Sequence, residues 1–569
     1  MKKVVLLFTL IVTAFTTQAR KFYVSQSGSD TYTTTQAQSQ STPWQTLSKV
    51  QSNVANGDSV LFAKGSKFTG TLTLNSKSNI YFGVYGTGAA PLFWGTGATR
   101  SVLFTLNTCT NITFYGWNIC DTTISATDRY IQAKIQNVFA TYQGCSGIVI
   151  RKCRMDRTGY GVYFPPGNNN NTVDSCDIGN LRMIRNTPTT VNPDDDYGGV
   201  PVQLSSSNNT VTNNYFHDCY AASYDYAFDG GGIEFFEEGS VIENNVIAYN
   251  TFYDCNGVFE FGSNNDGVAN NLIQNNKIYY NKIINNNTVV YINNNGQYRT
   301  KVVNLQFYNN VMLQTVPNAN PVGSSGIMFS LATSDATTGI IVLKNNIIQV
   351  SNGKSLTRSG QLTGANLIHT NNIYKLSGGS VANFTFGASE ISTSGIIWTN
   401  TSNANALNWD YTLTSTSPAI NSGVNVGLSR DFAGNPIYQT PDIGIYEKYN
   451  TVSIDTCTFT YGQWNACNGS YQTRRYILSP RGCVGVPPID SIQRTCTNSL
   501  ISSFYYNSNK NQIYIKSTIP GNMVITNILG SVVRNISYIS NGTTINVNWL
   551  PRGIYYASSY GKSITFYKN

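Results

Sequence analysis

This 569-residue chain contains few charged residues and very little histidine. Only 11% of its residues are Asp, Glu, Lys or Arg, and it has two histidines. It has no Lys/Arg run or basic aromatic module, which argues against nucleic-acid binding, and its net charge of +9 gives at most a mild attraction to acidic partners. The sequence also has no His-Glu-x-x-His and no Cys-x-x-Cys pair, which argues against the common zinc centres.

Long apolar runs are absent beyond the first residues. Val4 to Ala14 is apolar but too short to span a bilayer, and no later segment is long enough, so no transmembrane segment is expected. Lys2 and Lys3 precede this stretch and Thr17-Gln18-Ala19 follows it, a pattern typical of a secretory signal peptide over residues 1–19. Export is therefore expected, and it would permit disulfide bonds.

Glycine, tyrosine and asparagine are abundant instead. The chain has 49 Gly and 37 Tyr, while its apolar fraction is an ordinary 41%, so the low charge does not indicate disorder. These residues predict a neutral, hydrogen-bonding surface with aromatic faces, which suits sugars.

Paired asparagines recur through the middle of the chain. The steps between successive pairs are 31, 31, 34, 36 and 26 residues, and self-similarity at such periods indicates a solenoid. The segments between pairs are short, strand-like and punctuated by Asn and Gly, so we predict an all-β parallel β-helix. The pairs are Asn213-Asn214, Asn244-Asn245, Asn275-Asn276, Asn309-Asn310, Asn345-Asn346 and Asn371-Asn372.

The predicted coil occupies residues 20–450. Leu47, Val50 and Val54 have helical spacing, and we expect an amphipathic helix there to cap the first rung. Rungs follow from about residue 101 to 400, and the long interruption at 180–199 must loop out of the coil. We expect Cys153 and Cys176 to stack in the interior at the place that later rungs give to the asparagine pair, and Cys219 and Cys255 to stack or form a disulfide bond.

Two motifs bracket this region. The chain opens with Tyr-Val-Ser-x-Ser-Gly-Ser-Asp and Pro-Trp-Gln-Thr-Leu, and it closes with Ser417-Pro418-Ala419-Ile420-Asn421 and Asp442-Ile443-Gly444-Ile445-Tyr446. Together they resemble secreted right-handed parallel β-helix proteins of the pectate-lyase-like superfamily. The resemblance implies a right-handed coil and makes polysaccharide lyases and glycoside hydrolases the main functional expectation, with epimerases and non-catalytic binders as minorities.

Residues 455–498 form a different, cysteine-rich unit. Trp464-x-x-Cys467, Gln472-Thr473-Arg474 and Arg494-Thr495-Cys496 resemble a thrombospondin type 1 repeat, in which Trp and Arg side chains stack between disulfides. Its four cysteines allow three connectivities, which the sequence leaves open. We interpret this unit as a small disulfide-rich spacer or adhesion module.

The last stretch, residues 500–569, alternates apolar and polar residues as a small antiparallel β-sandwich would. Val524 to Gly530, Gly553-Ile554-Tyr555-Tyr556 and Lys568 resemble the C-terminal sorting domain of type IX secretion substrates. The resemblance implies a Gram-negative cell and a protein that is released or attached at the cell surface. We expect a monomer.

Aligning the first strand of each central rung on its apolar-x-apolar core predicts an outward column of side chains, because strand side chains alternate between faces. Glu234 and Glu260 are neighbours in it, about one 4.8 Å rung apart, so their charges should repel and one pKa should rise. A surface selected only for stability would avoid this pair. The predicted column is Tyr163, Gln203, Glu234, Glu260, Tyr291 and Met328.

We hypothesise that Glu234 and Glu260 are catalytic carboxylates. A retaining glycosidase needs two carboxylates roughly 5–5.5 Å apart and an inverting one roughly 6.5–9.5 Å, for which other nearby acids are available. A solvated acidic turn and a calcium site are the open alternatives. The nearby acids are Asp225, Asp229, Glu237, Glu238 and Asp266, with Asp229 the preferred one, and the candidate sugar-stacking residues are Tyr163, Tyr224, Tyr226 and Tyr291.

Residues 230–262 also loosely resemble the catalytic region of alginate-lyase and chondroitinase-B type β-helix lyases. That family places a Lys base and an Arg where this chain has Glu237-Glu238 and Glu260-Phe261-Gly262. Carboxylates have the wrong charge for neutralising a uronate, which favours hydrolysis. A lyase could still use a basic or tyrosine residue: Arg182, Arg185, Arg299, Lys301 or Tyr291.

The remaining candidates lie near the acidic segment. His217 could bind substrate or shuttle a proton, or it could be a turn histidine bonded to Asp218. Arg182 and Arg185, in the 180–199 interruption, and Gln203 are candidate substrate-binding residues. No cofactor is expected, although Asp194-Asp195-Asp196 could bind calcium.

Three functions remain open. The first is a secreted polysaccharide hydrolase that uses the paired carboxylates. The second is a polysaccharide lyase that acts on uronate-containing chains, and the third is a non-catalytic surface protein that binds glycans through its tyrosines.

Overall fold

The structure, a computed structural model, describes residues 19–94, 101–263, 272–293, 300–314, 327–332, 340–351, 354–357, 367–381, 384–437, 440–448, 458–464, 471–479, 493–495, 501–517, 521–527, 532–538, 544–559 and 562–568. Contacts divide the chain into two compact units, Met1–Lys448 and Tyr449–Asn569. Among the described residues, no helix is both long and apolar enough to cross a membrane.

Three long parallel sheets form the first unit. In its described part, sheet A has twelve strands: Lys21–Val24, Ser59–Ala63, Ser78–Tyr85, Thr110–Tyr115, Val149–Arg151, Thr172–Asp174, Thr210–Thr212, Val246–Ala248, Lys277–Tyr279, Leu305–Tyr308, Ile341–Lys344 and Leu367–Thr370. Sheet B has twelve: Lys67–Thr69, Leu92–Trp94, Asn118–Cys120, Arg154–Asp156, Asp177–Gly179, Tyr215–His217, Thr251–Tyr253, Lys282–Ile284, Val311–Gln314, Ile347–Ser351, Ile373–Ser377 and Ile391–Ser392. Sheet C has ten: Leu72–Asn75, Ser101–Asn107, Ile135–Tyr142, Tyr160–Phe164, Val202–Leu204, Gly231–Glu237, Gly257–Ser263, Thr288–Asn293, Ile327–Ala332 and Ser355–Thr357.

Each rung passes through sheet C, then sheet A, then sheet B. Val202–Leu204, Thr210–Thr212 and Tyr215–His217 form one such rung, and each strand pairs in parallel with its counterpart in the neighbouring rungs. The apolar side chains of all three sheets meet in one continuous core along the axis. The predicted fold class, an all-β parallel β-helix followed by small antiparallel sheets, is confirmed.

The predicted N-terminal cap is also present. A helix spans Leu47–Asn53, and the side chain of Thr46 caps it by accepting a hydrogen bond from the backbone N–H of Lys49 at 3.1 Å. Leu47 and Val50 face the core. Short 3₁₀ helices span Gln36–Gln38 and Ala406–Asn408.

The asparagines form two ladders at the turns, and the paired asparagines of the sequence are divided between them. At the turn from sheet A to sheet B, each Oδ1 accepts from the backbone N–H of the asparagine one rung earlier, with steps of 36, 31, 29, 36 and 26 residues. Asn245 and Asn276 belong to a second ladder, at the entry to sheet A. The first ladder consists of Asn214, Asn250, Asn281, Asn310, Asn346 and Asn372.

Counting asparagine pairs in the sequence combined members of the two ladders, because two rungs of the first ladder have a single asparagine instead of a pair. Tyr249 and Tyr280 precede Asn250 and Asn281 there, and both tyrosines adopt the positive φ that asparagine adopts in the other rungs, 61° and 54°. The cysteine prediction holds, since Cys176 donates its backbone N–H to Asn214 Oδ1 at 2.8 Å, at the end of the first ladder. Cys153, Cys176, Cys219 and Cys255 are buried free thiols.

The remaining elements of the first unit are short. Two antiparallel hairpins, Met183–Arg185 with Tyr197–Gly198 and Ala221–Ser223 with Ala227–Asp229, lie between sheets B and C, so the 180–199 interruption does leave the coil. A small parallel sheet contains Ile242–Glu243, Leu272–Gln274 and Lys301–Val303, and Trp398–Asn400 pairs with Asp410–Leu413.

The second unit is antiparallel. Thr458–Trp464, Tyr471–Ser479 and Gln493–Thr495 pair with one another, while the four cysteines between 457 and 496 lie outside the described residues. Ile501–Asn507, Gln512–Ser517 and Thr544–Asn546 form one further sheet. Val532–Tyr538, Gly521–Asn527, Gly553–Ser559 and Lys562–Lys568 form another, and the two sheets share one core.

Candidate active site

The outer face of sheet C carries the predicted column of side chains. Tyr163 pairs with Gln203, Gln203 with Glu234, Glu234 with Glu260, and Glu260 with Tyr291, all in register. The prediction fails at its last member, because Tyr291 pairs with Ser330, and Met328 is buried. The sequence alignment of this rung was displaced by two residues, so Ser330 takes the place in the column that was predicted for Met328, and Met328 packs in the core.

Glu234 and Glu260 point outward from adjacent rungs. Each lies between two fully buried residues, Ile233 and Phe235 or Phe259 and Phe261, so strand alternation turns both carboxylates away from the core. The rings of Phe235 and Phe261 stack beneath them with centroids 4.8 Å apart and planes 8° from parallel. The two glutamates therefore lie one rung apart, as the sequence predicted.

A third carboxylate, Asp229, reaches the same face from the hairpin between sheets B and C. Ala221 pairs with Asp229 at the base of this hairpin, and Gly230 and Gly231 then return the chain to the coil. A Cβ at Gly230 would lie 2.5 Å from the carbonyl oxygen of Gly199, and one at Gly231 would lie 2.8 Å from that of Gly257. The glycine run is therefore required for the close approach that places Asp229 beside the column.

Burial and mutual repulsion raise the pKa of all three acids. The pKa of Glu234 lies well above its usual value because of burial first and the charges of Glu260, Asp229 and Glu238 next. Burial and the charge of Asp229 raise the pKa of Glu260 to about 8. The pKa of Asp229 rises to about 6, through burial and the charge of Asp196. Within the described structure, Oε2 of Glu234 is buried and accepts no hydrogen bond.

This arrangement separates the protonation states of neighbouring carboxyl groups. Asp229, with a pKa of about 6, ionises before Glu260, with a pKa of about 8, while burial and the neighbouring carboxylates favour the protonated form of Glu234. A protonated carboxyl next to an ionised one is the pairing that glycoside hydrolysis requires. The charges that raise these pKa values are all carboxylates, so the electrostatic field over the column is negative.

Aromatic rings flank the acids along the coil axis. The Tyr163 hydroxyl donates to both carboxylate oxygens of Glu238, at 3.1 and 2.9 Å, and its ring lies 6.3 Å from that of Tyr142. Tyr291 lies one rung beyond Glu260 and is 37% exposed. The half-buried ring of Phe236 lies over Gly262, where a Cβ would be 3.2 Å from the ring.

Tyr160 is a site residue that sequence reasoning missed. Its ring stacks on that of Tyr163 at 6.4 Å, and burial, then the charge of Glu234, raises the pKa of its hydroxyl. It lies three residues before Tyr163, so simple alternation assigns it to the inner face. The flanking Gly159 and Gly161 were the available signal, since a Cβ at either would lie 2.5 Å from a neighbouring carbonyl oxygen.

His217 is not part of this cluster. It lies on sheet B, with Nδ1 2.7 Å from Asp218 and Nε2 2.8 Å from Asp177. His217 is therefore a turn histidine bonded to Asp218, which was the alternative interpretation of the sequence. Burial lowers its pKa, but the two carboxylates outweigh burial and raise it to about 9. A cavity of about 250 Å³ adjoins it, lined also by Arg129 and Arg154.

Arg182 cannot contact a polysaccharide, so that prediction is wrong. Its side chain is 0% exposed, and its guanidinium donates to the carbonyl oxygens of Ser125, Ala126, Asp128, Asn180 and Leu181. A guanidinium offers five N–H donors, and those of Arg182 all point at protein oxygens. The side chain therefore fixes loops in place.

The other predicted binding residues differ in accessibility. Arg185 is half-exposed but forms a 2.6 Å ion pair with Asp195. Gln203 belongs to the column but is only 6% exposed, so it forms part of the floor beside Glu234. Tyr224 and Tyr226, in the hairpin, are exposed as predicted for stacking residues.

The calcium prediction was for Asp194-Asp195-Asp196, and the structure groups two of these acids with Asp225 of the hairpin. Carboxylate oxygens of Asp195, Asp196 and Asp225 lie within 4.8 Å of one another. However, Asp196 Oδ2 accepts from Ser223 Oγ and the backbone N–H of Tyr224, Asp225 Oδ2 accepts from two backbone N–H groups, and Asp195 pairs with Arg185. Calcium takes six to eight oxygen ligands, waters included, and these acids already serve the hairpin as hydrogen-bond acceptors and as the partner of Arg185, which gives them a structural role.

Comparisons with known proteins find similarity of structure. No family model matches the chain, and no curated protein matches it either. Among solved structures, the pectate lyase Pel9A is 14% identical, with a TM-score of 0.42 over 75% of this chain and 96% of that one. XylC in complex with xylose is 10% identical, with a TM-score of 0.39 over 75% and 98%. The GH136 lacto-N-biosidase from Eubacterium ramulus is 14% identical, with a TM-score of 0.38 over 66% and 67%.

Proposed function

We propose that this protein is a carbohydrate-active enzyme that hydrolyses a neutral polysaccharide on the outer face of sheet C. The observation that supports this most directly is the pair Glu234 and Glu260, in register on adjacent rungs with raised pKa values. Glu234, with its pKa well above the usual value, would donate a proton to the glycosidic oxygen. Glu260 would act as the nucleophile, or as the base that activates water.

The charge of the site favours a neutral substrate. A lyase that removes the C5 proton of a uronate must neutralise the carboxylate of its substrate, and the acids here would repel it instead. Three basic residues that a lyase could have used are buried, paired or on another sheet: Arg182 is buried, Arg185 pairs with Asp195, and Lys301 lies in a separate three-stranded sheet. Arg299 lies outside the described residues.

We also propose that the enzyme is secreted and then released or attached at the cell surface. The signal-peptide pattern over residues 1–19, the repeat-like unit at 455–498 and the sorting-domain resemblance at 500–569 support this together. The described strands of the last segment are antiparallel, as a small β-sandwich requires.

A glycan panel tests the proposed activity. The protein is incubated with arabinoxylan, galactomannan, mixed-linkage β-glucan and pectic galactan as neutral polymers, and with polygalacturonate and alginate as acidic ones. We expect new reducing ends from a neutral polymer without ultraviolet-absorbing unsaturated sugars. Unsaturated ends from an acidic polymer would instead identify a lyase, and binding without products would identify a non-catalytic glycan-binding protein.

The pH profile should depend on Asp229. In the wild type, kcat/KM should rise with pH along a limb with its midpoint near pH 8, as Glu260 ionises. Because the Asp229 charge helps to raise the pKa of Glu260, Asp229→Asn should move this limb to lower pH by roughly one unit. The measurement is kcat/KM from pH 4 to pH 10.

Two results would contradict this role for Asp229. A limb that stays in place would show that Asp229 does not act on Glu260. Loss of activity at every pH would make Asp229 itself the base, as in an inverting enzyme with widely spaced carboxylates.

A further inference from the structure

Three connections between sheets B and C pack together beside the candidate active site. They comprise residues 121–134, 180–199 and 220–230, and we call them the outcrop. Each follows a sheet B strand and precedes a sheet C strand, so the outcrop stands at one edge of the face that carries Glu234. All three connections are long, and buried polar side chains hold them in one fixed arrangement.

Arg182 and Asn186 join these connections. The Arg182 guanidinium donates to the backbone of residues 125–128 at 3.0–3.1 Å. The Asn186 side chain is buried, and its Nδ2 donates to the carbonyl oxygens of Tyr130 at 2.8 Å and Ala222 at 2.9 Å, while its Oδ1 accepts from the backbone N–H of Tyr224 at 3.1 Å. One asparagine thus ties all three connections together.

Asp196 strengthens the same junction. Its buried carboxylate accepts from Ser223 Oγ at 2.7 Å and from the backbone N–H groups of Tyr224 and Asp225 at 2.8 and 3.1 Å. Arg129 donates to the carbonyl oxygen of Tyr220 at 2.9 Å, and its guanidinium lies over that ring at 4.0 Å. Buried, charge-assisted bonds of this kind hold loops rigid.

The rigid outcrop presents tyrosine rings to solvent. Tyr130, Tyr224 and Tyr226 are 43%, 46% and 46% exposed, and the rings of Tyr130 and Tyr224 lie against each other with centroids 4.9 Å apart. The Tyr226 hydroxyl donates to Asp194, which fixes that ring as well. Exposed aromatic rings held in a fixed arrangement indicate a binding surface.

The exposed rings are continuous with the column. The hairpin that carries Tyr224 and Tyr226 ends at Asp229, beside Glu234 and Glu260. On the other side, Gln136 of sheet C donates to the hydroxyl of Tyr197, which is 41% exposed. A polysaccharide that extends from the carboxylates across sheet C towards the outcrop therefore reaches aromatic rings at the edge of that sheet.

We propose that Tyr130 and Tyr224 form a platform that binds the polysaccharide several sugars away from the cleavage point. The proposal rests on the proposed function and adds the path of the substrate, which leaves the column across the edge of sheet C and passes over the outcrop. A sugar ring has an apolar C–H face and a polar rim, which matches the apolar face and hydroxyl of tyrosine. The enzyme is consequently selective for long chains.

Binding without turnover tests the platform. The Glu260→Gln background removes cleavage, and affinity electrophoresis measures retardation by the four neutral polymers of the panel. We expect at least one polymer to retard the protein, and Tyr130→Ala with Tyr224→Ala to weaken that binding about tenfold. Tyr130→Phe with Tyr224→Phe should keep it, since the rings remain. Tyr81→Ala, which removes an exposed tyrosine of sheet A, is the matched control and should change nothing.

Turnover gives a second readout. In the active protein, the double alanine variant should lose about tenfold in kcat/KM on the polymer, and less than twofold on the shortest oligosaccharide cleaved. Equal losses on both would overturn the platform while leaving the hydrolase intact. The platform would also be overturned if the double alanine variant were retarded as strongly as its parent, or if none of the four polymers retarded the protein. A wild-type dimer that the double alanine variant abolishes would overturn it as well. Retardation that depends on the rings without cleavage of any polymer would overturn the hydrolase alone.

Discussion

Glu260→Gln should reduce turnover of the polysaccharide by about a thousandfold or more, equivalent to about 4 kcal/mol of lost transition-state stabilisation. The amide keeps the shape of the side chain but can act neither as nucleophile nor as base. Initial rates on the polymer identified by the panel give the measurement. Glu243→Gln, a glutamate outside the column that accepts from Gln274 at 2.7 Å, is the matched control and should retain wild-type activity within twofold.

The same substitution should not destabilise the protein. The folded-state pKa of Glu260 is raised to about 8 from 4.5, so its ionisation costs stability as the pH rises between these values. The neutral amide avoids that cost. The Glu260→Gln variant should therefore melt at the wild-type temperature near pH 4 and at a higher temperature near pH 8. Its unfolding free energy at pH 8 should exceed that of the wild type by about 1–3 kcal/mol. Full activity in this variant, or a lower melting temperature at pH 8, would contradict the assignment.

Asn281→Ala should destabilise the coil by about 4 kcal/mol or more. The Asn281 Oδ1 accepts from the backbone N–H and the Nδ2 of Asn250 at 2.9 and 3.1 Å, and its Nδ2 donates to Ile247 at 3.0 Å and Asn310 at 3.0 Å. All of these groups are buried, so alanine leaves donors and acceptors without partners inside the coil.

The midpoint of urea unfolding, followed by circular dichroism, measures this effect. Asn208→Ala is the control, because Asn208 is an exposed turn asparagine of the coil that lies outside the first ladder; its φ is 59°. Asn208→Ala should lower the stability by only roughly 1–2 kcal/mol, the cost of placing alanine in the left-handed conformation. Equal losses in the two variants would mean that the buried hydrogen bonds of the ladder add no more stability than an exposed turn asparagine does.

Local sequence patterns were sufficient for the coil and for its column. Apolar alternation set which face each strand buries, and the recurrence of turns brought equivalent strands into register, so Glu234 and Glu260 were placed as neighbours correctly. The same logic failed where a pattern was interrupted. Tyr249 and Tyr280 concealed two rungs of the asparagine ladder, and the Gly159-Tyr160-Gly161 segment concealed a tyrosine of the site.

Contacts between distant connections were decided only by the tertiary structure. Arg182 was predicted to meet substrate because it lies in an insertion, yet six hydrogen bonds bury it between loops that are more than fifty residues apart in sequence. His217 lies near the acids in sequence but on a different sheet. The sequence by itself determined the coil and the stacked glutamates, because period-two alternation and short repeats act locally. The tertiary structure alone decided which loops surround them, because the burial of one guanidinium or one amide depends on carbonyl groups that the chain supplies from other rungs.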